Sequence, residues 1–187
     1  MKKLTVSTLV LLLFLTATAG RAQKLSDQPG YVSIEDLNLF PREDLSVEIN
    51  LDGAILRMVA EATRGDDPEF AKVMSGLKAI QVRVFPLEGA KEDVVRGKIE
   101  RAVRWLEDRG WSSMVRVREK GDESYIYLKK SGEQIVGLTI LAIEAGDEAA
   151  MINIVGQLDP AQIGRLGQSF DIPQLEKANP RKPEKPE

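Results

Sequence analysis

From Glu133 to Asp159 the chain is a pair of apolar runs without proline, interrupted by Gly146-Asp147. This predicts two long strands, Glu133–Ala145 and Glu148–Gln157, joined by a tight turn. Two shorter runs, Trp111–Glu119 and Ser124–Lys130, precede them, so four strands follow one another as a meander. Nearer the start, Leu45 to Leu51 alternates, with Val47, Ile49 and Leu51 on one side and Ser46, Glu48 and Asn50 on the other. Ile80, Val82 and Val84 repeat that period over Ala79–Phe85. Between these two strands the period changes to that of helices. Ile55, Leu56 and Val59 share a face after Asp52-Gly53, as do Phe70, Val73, Met74 and Leu77 after Asp67-Pro68. Lys91–Arg109 carries the longest stripe: Val95, Ile99, Ala102, Val103 and Leu106.

The boundaries have their own chemistry. Asp52, Asp67 and Asp159 suit N-caps, Pro68 suits a first helical turn, and Gly110 suits the position after a helix. Ser33 would cap a short early helix, and a last helix behind Asp159-Pro160 would carry Ile163, Leu166 and Phe170. The order β-α-α-β-α-β-β-β-β-α predicts an α+β fold in two layers. One mostly antiparallel sheet of about six strands would carry its helices on one face.

Turn lengths then set register. Two-residue turns at Ser131-Gly132 and Gly146-Asp147 would pair Tyr127 with Val136 and Leu141 with Ile152. Ile126, Leu128, Ile135, Leu141, Ile143, Ile152 and Ile154 would then share the face under the helices. A four-residue first loop, pairing Arg118 with Tyr125 and Arg116 with Tyr127, keeps both arginines out of that core, where burial would be costly. The opposite face collects Arg116, Arg118, Tyr125, Tyr127, Leu138 and Asn153, with Val136, Ile140, Met151 and Val155. It is too apolar for a solvated sheet face. It is either covered by the N-terminal segment or the C-terminal helix, or it binds a partner or ligand. Gly137 and Gly156 would face one another, leaving room for a closely packed helix above.

Composition narrows the function. Lys2 and Lys3, the apolar run Leu9–Leu15 and the small residues of Gly20-Arg21-Ala22 read as a cleaved export signal over residues 1–22. An N-terminal segment 23–44, a single domain 45–172 and a charged, Pro-rich, disordered tail 173–187 follow. Cleavage removes Lys2, Lys3 and Arg21 and no acidic residue, so the net charge goes from −3 to −6. That balance argues against nucleic-acid binding. The sequence has no cysteine and no histidine. The common zinc sites and the Ser-His-Asp and Cys-His arrangements therefore have no residues to form them. Asp122-Glu123 and Asp147-Glu148 read as solvated loop pairs, and Arg96, Lys98, Arg101 and Arg104 as the solvated face of the long helix. No catalytic, cofactor or metal site is expected.

Gly30-Tyr31-Val32, VEINLDGAILRMVA, GLKAIQVRVF and above all GLTILAIEAGDEAAMINIVGQLDPAQIGRL resemble the exported bacterial family catalogued as domain of unknown function 4252. The resemblance covers Tyr31 to Phe170. It implies a small envelope protein, mostly of Gram-negative bacteria, and supplies no catalytic residues. Some relatives are lipid-anchored, and this sequence lacks the cysteine that anchoring needs. The expectation is a periplasmic or secreted, non-enzymatic protein, without stable membrane insertion after cleavage, that binds an envelope partner or itself through a sheet face. A carrier of a small apolar ligand is the alternative, and a carboxylate hydrolase a more distant one.

Overall fold

The computed structural model describes residues 24–37, 39–87, 91–159 and 163. The expected export signal, the Pro-rich tail and all but Ile163 of the C-terminal helix lie outside them. A short helix α1 (Ile34–Leu37) is followed by β1 (Val47–Asp52), α2 (Gly53–Thr63), α3 (Pro68–Gly76) and β2 (Leu77–Pro86). The long helix α4 (Lys91–Asp108) leads into β3 (Trp111–Glu119), β4 (Asp122–Ser131), β5 (Gln134–Ile143) and β6 (Glu148–Leu158). The predicted caps at Asp52, Asp67 and Ser33 hold. Asp52 Oδ1 accepts from the Ala54 and Ile55 amides at 2.8 and 3.0 Å, and Asp67 Oδ1 from Phe70 at 2.9 Å. Ser33 Oγ accepts from the Asp36 amide at 3.2 Å. Gly110 takes φ +73° after α4, a left-handed conformation that favours glycine.

The α+β class and the single antiparallel six-stranded sheet are as predicted. The strands lie in the order β1-β2-β6-β5-β4-β3. Because β2 pairs with β6, α4 must carry the chain across β6, β5 and β4 to reach the far edge. That crossing puts helices on both faces, where the two-layer reading placed them on one. Helices α2 and α3 cover Ile80, Ile126, Leu138, Ile140 and Ile154. Helix α4 and the N-terminal segment, through Val32, Ile34, Leu37, Leu39 and Phe40, cover Tyr125, Tyr127, Leu141, Ile143 and Met151. Phe40 stacks on Phe85 at 5.3 Å between ring centroids.

Two one-residue departures explain the difference. The β5–β6 loop has three residues, Ala145 to Asp147, with Gly146 at φ +76°. The Glu144 amide donates to the Glu148 carbonyl across it at 2.8 Å. Leu141 therefore pairs with Met151, not Ile152. At the other end of β5 the turn is Gly132-Glu133, and a bulge between Ile135 and Gly137 pairs Tyr127 with Thr139. Each slip reverses the facing of β5 relative to a neighbour. Together they invert β5 from Gly137 onward, while Ile135 keeps its predicted face and β4 and β6 are as predicted. The β3–β4 turn is the two residues Lys120-Gly121, which slides Arg116 to Tyr125 and Arg118 to Glu123 without changing faces.

The bulge is where the N-terminal segment crosses the sheet. A Cβ on Gly30 would lie 1.9 Å from the Val136 carbonyl oxygen, and one on Gly137 2.6 Å from the Gly30 Cα. Gly137 thus lies under an extended segment, not under a helix, and its partner in β6 is Val155 rather than Gly156.

Candidate functional site

The six residues of the expected binding face are not one open surface. Leu138 lies on the other face, buried against α2 and α3, because β5 is inverted. Tyr125 and Tyr127 are 4% and 0% exposed under α4, and Asn153 is 0% exposed under the N-terminal segment. Only Arg116 and Arg118, on edge strand β3, keep substantial exposure, with 55% and 62% of their side chains accessible.

These residues form a clasp between α4 and the β3 edge, built twice. The Tyr125 hydroxyl donates to Glu123 at 2.6 Å and accepts from Arg118 at 3.1 Å. The Tyr127 hydroxyl donates to Glu107 at 2.6 Å and accepts from Arg116 at 3.1 Å. The Arg116 guanidinium also lies 5.5 Å from the Tyr125 ring centroid, within cation–π range. Arg96 closes the cluster, donating to Glu123 at 2.7 Å and pairing with Glu92 one helical turn back. It belongs to the clasp and not to a solvated face. Burial, reinforced by the carboxylate each one donates to, pushes both tyrosine hydroxyls above their ordinary range. They stay protonated and serve as structural donors, not as phenolate bases.

Glu123 is the unforeseen member, since adjacency to Asp122 reads as a loop pair. Burial alone would raise its carboxyl, but the Tyr125 hydroxyl, Arg118 and Arg96 outweigh that and hold it below its ordinary value of 4.5. A carboxylate depressed in the folded state contributes stability above its unfolded pKa and loses it as pH falls through the folded one. The wild type should therefore lose more stability than Glu123→Gln as the medium is taken from about pH 6 to about pH 3, read as urea midpoints. Parallel curves would mean that the Glu123 charge contributes nothing.

Asn153 ties down the cover. Its Oδ1 accepts from the Val32 amide at 3.1 Å, and its Nδ2 donates to the Gly30 and Leu138 carbonyls at 3.1 and 3.3 Å and to Thr139 Oγ1 at 3.0 Å. The Tyr face is thus closed by this chain itself. Gln157, which also falls on this face by the predicted register, is exposed and donates to Gln134 at 3.3 Å.

Among the described residues, the apolar surface left open is on the opposite face. Beyond the reach of α2 and α3, Val47, Val84, Ala150, Ala142, Ser124 and Val117 stand side by side across all six strands. Val47 and Val117, at its ends, are 38% and 40% exposed, and the four between are half-buried. Two residues further along each of β6, β5, β4 and β3 lie Glu148, Glu144, Asp122 and Glu119, all exposed. An apolar row with an acidic border results. A mixed cleft of about 610 Å³ opens at the other end of the sheet, lined by Lys72, Lys130, Glu133, Ile135 and Leu158 among others. Among the described residues, no helix is long and apolar enough to cross a membrane.

Residues 41–166 match the model of a family described as "Domain of unknown function (DUF4252)". No curated protein matches the sequence.

Proposed function

We propose, from the premise that this chain belongs to the DUF4252 family, that it is an exported binding protein of the cell envelope and not an enzyme. Lys2, Lys3 and the apolar run after them support export. The lack of histidine and cysteine, and tyrosines kept protonated inside a structural clasp, support a role without catalysis. The observation that carries the reading is the open row on the sheet, Val47 to Val117, with its acidic border. Small side chains at Ala142, Ala150 and Ser124 make a shallow floor that admits another chain closely. Glu148, Glu144, Asp122 and Glu119 favour lysine or arginine at that chain's margin. The partner class is an amphipathic segment of another envelope protein, apolar on one side and basic beside it. The open cleft between Lys72 and Glu133 suits an enclosed apolar cargo less well.

A photo-crosslinking residue at Ala150 tests this in cells. It should give a discrete adduct heavier than two copies of this chain, weakened at least severalfold by Glu144→Lys with Glu148→Lys. The same probe at Arg116 should give none. Equal adducts at both positions, or none at Ala150, would overturn the reading.

A further inference from the structure

The two edges of the sheet are treated differently. Strand β3 carries Arg116 and Arg118 and is broken by a bulge between Ser113 and Val115, devices that discourage further pairing. Strand β1 has neither a basic residue nor a bulge, its charges being the acidic Glu48 and Asp52. It runs VEINLD without proline, lysine or bulge, and its pairing to β2 is regular from Val47 to Asp52. Among the described residues its outer side meets no other strand. The apolar side chains Val47 and Ile49 are 38% and 40% exposed there, and on the following helix α2 Ile55 and Met58 are 41% and 71% exposed.

The strand is also complementary to itself. An antiparallel copy centred on Ile49 sets Ile49 against its own counterpart and Val47 against Leu51, all apolar and on the α2 face. On the other face Glu48 meets Asn50, so no like charges oppose. Glu48 is already paired in its own chain, with Arg42 at 2.8 Å and Arg83 at 2.9 Å. Arg83, 5% exposed, further holds β1 in place through the Ile49 carbonyl at 3.2 Å and Asn50 Oδ1 at 3.0 Å. The axis relating two such strands is perpendicular to the sheet. It places both copies of α2 on the same side, where Ile55 and Met58 supply apolar surface.

We infer that β1 is a homodimerisation edge: two copies of this chain join through antiparallel β1 strands centred on Ile49, making one twelve-stranded sheet. The inference rests on the β1 edge alone, so it stands whether or not the open row binds a partner.

The absence of cysteine makes the register directly readable. Opposed residues in an antiparallel pair have Cα atoms about 4.5–5.5 Å apart, within disulfide reach. Under mild oxidation the Ile49→Cys chain should crosslink to a dimer. Val47→Cys alone and Leu51→Cys alone should not, but a mixture of the two should. Val117→Cys, on the guarded edge, should stay monomeric. Sedimentation of the cysteine-free chain without residues 1–22 should show a dimer, and Ile49→Lys should raise its dissociation constant at least tenfold while the circular dichroism of the fold is kept. A chain monomeric at about 100 μM, a span that corresponds to weak affinity, overturns the inference. So does crosslinking at Val117 as fast as at Ile49.

Discussion

Replacing Gly30 with alanine should cost about 3 kcal/mol or more, at the upper end of what overpacking does. Most inserted methyl groups meet side chains that can rotate away. This one would meet the Val136 carbonyl oxygen at 1.9 Å and the Gly137 Cα at 2.7 Å. Both belong to the backbone of β5, which is hydrogen-bonded on both sides, so the N-terminal segment has to lift instead. Lifting it exposes Val32, Leu37, Leu39 and Phe40, now 0–9% accessible, each about 1.5–3 kcal/mol when fully buried. It also bares the tyrosine face. The measurable result is a lower urea midpoint together with proteolytic release of the segment before β1. Gly65→Ala is the control, because a Cβ there meets nothing within 4 Å, and it should shift the midpoint by no more than about 0.5 kcal/mol. If Gly30→Ala behaves like Gly65→Ala, the segment does not lie against β5.

The element order was legible in the sequence because each boundary carried local chemistry: Asp52 and Asp67 as caps, Pro68 inside a first turn, Gly110 after a last one. The alternation in β1, β2 and β6 identified strands for the same reason. The facing of β5 was not legible, because it depends on two features without a local signature. Gly146-Asp147 fits a two-residue or a three-residue loop equally well. The bulge at Val136 exists because Gly30, more than a hundred positions away, has to pass over it. A strand apolar on both sides, QIVGLTILAI, offers no charged residue whose burial would reveal the error. In β3 the charges of Arg116 and Arg118 did reveal it, and the faces there were read correctly although the turn length was not. The candidate site failed for the same reason: grouping Tyr125, Tyr127 and Asn153 was right, but Leu138 followed the wrong face of β5. What covered the tyrosines was undetermined because α4 crosses the sheet only if β2 pairs with β6, a long-range choice. The open row went unnoticed because its middle is small: Ala142, Ala150 and Ser124 carry little hydrophobic signal individually.

Asn153 should prove the most sensitive polar position, and two substitutions separate its roles. Asn153→Leu keeps the branched shape but leaves the Val32 amide and the Gly30 carbonyl buried without their Asn153 partner. At about 1–3 kcal/mol for each unsatisfied group, the expected loss is about 3–5 kcal/mol, nearly independent of pH. Asn153→Asp keeps the acceptor for Val32 and replaces the donor Nδ2 with an oxygen facing the Gly30 and Leu138 carbonyls, 3.1 and 3.3 Å from Nδ2 in the wild type. Burial and two carbonyl dipoles then favour the protonated acid, raising its pKa in the folded state. An acid raised on folding is least harmful below its unfolded pKa of about 3.9 and most harmful above its folded one. The variant should thus recover toward the wild type as pH falls, opposite in sign to the Glu123 effect over the same range. Urea midpoints of both variants against pH would show it. A loss in Asn153→Asp that stays constant with pH would mean that no donor is needed at Nδ2, and that the N-terminal cover is held by its apolar side chains alone.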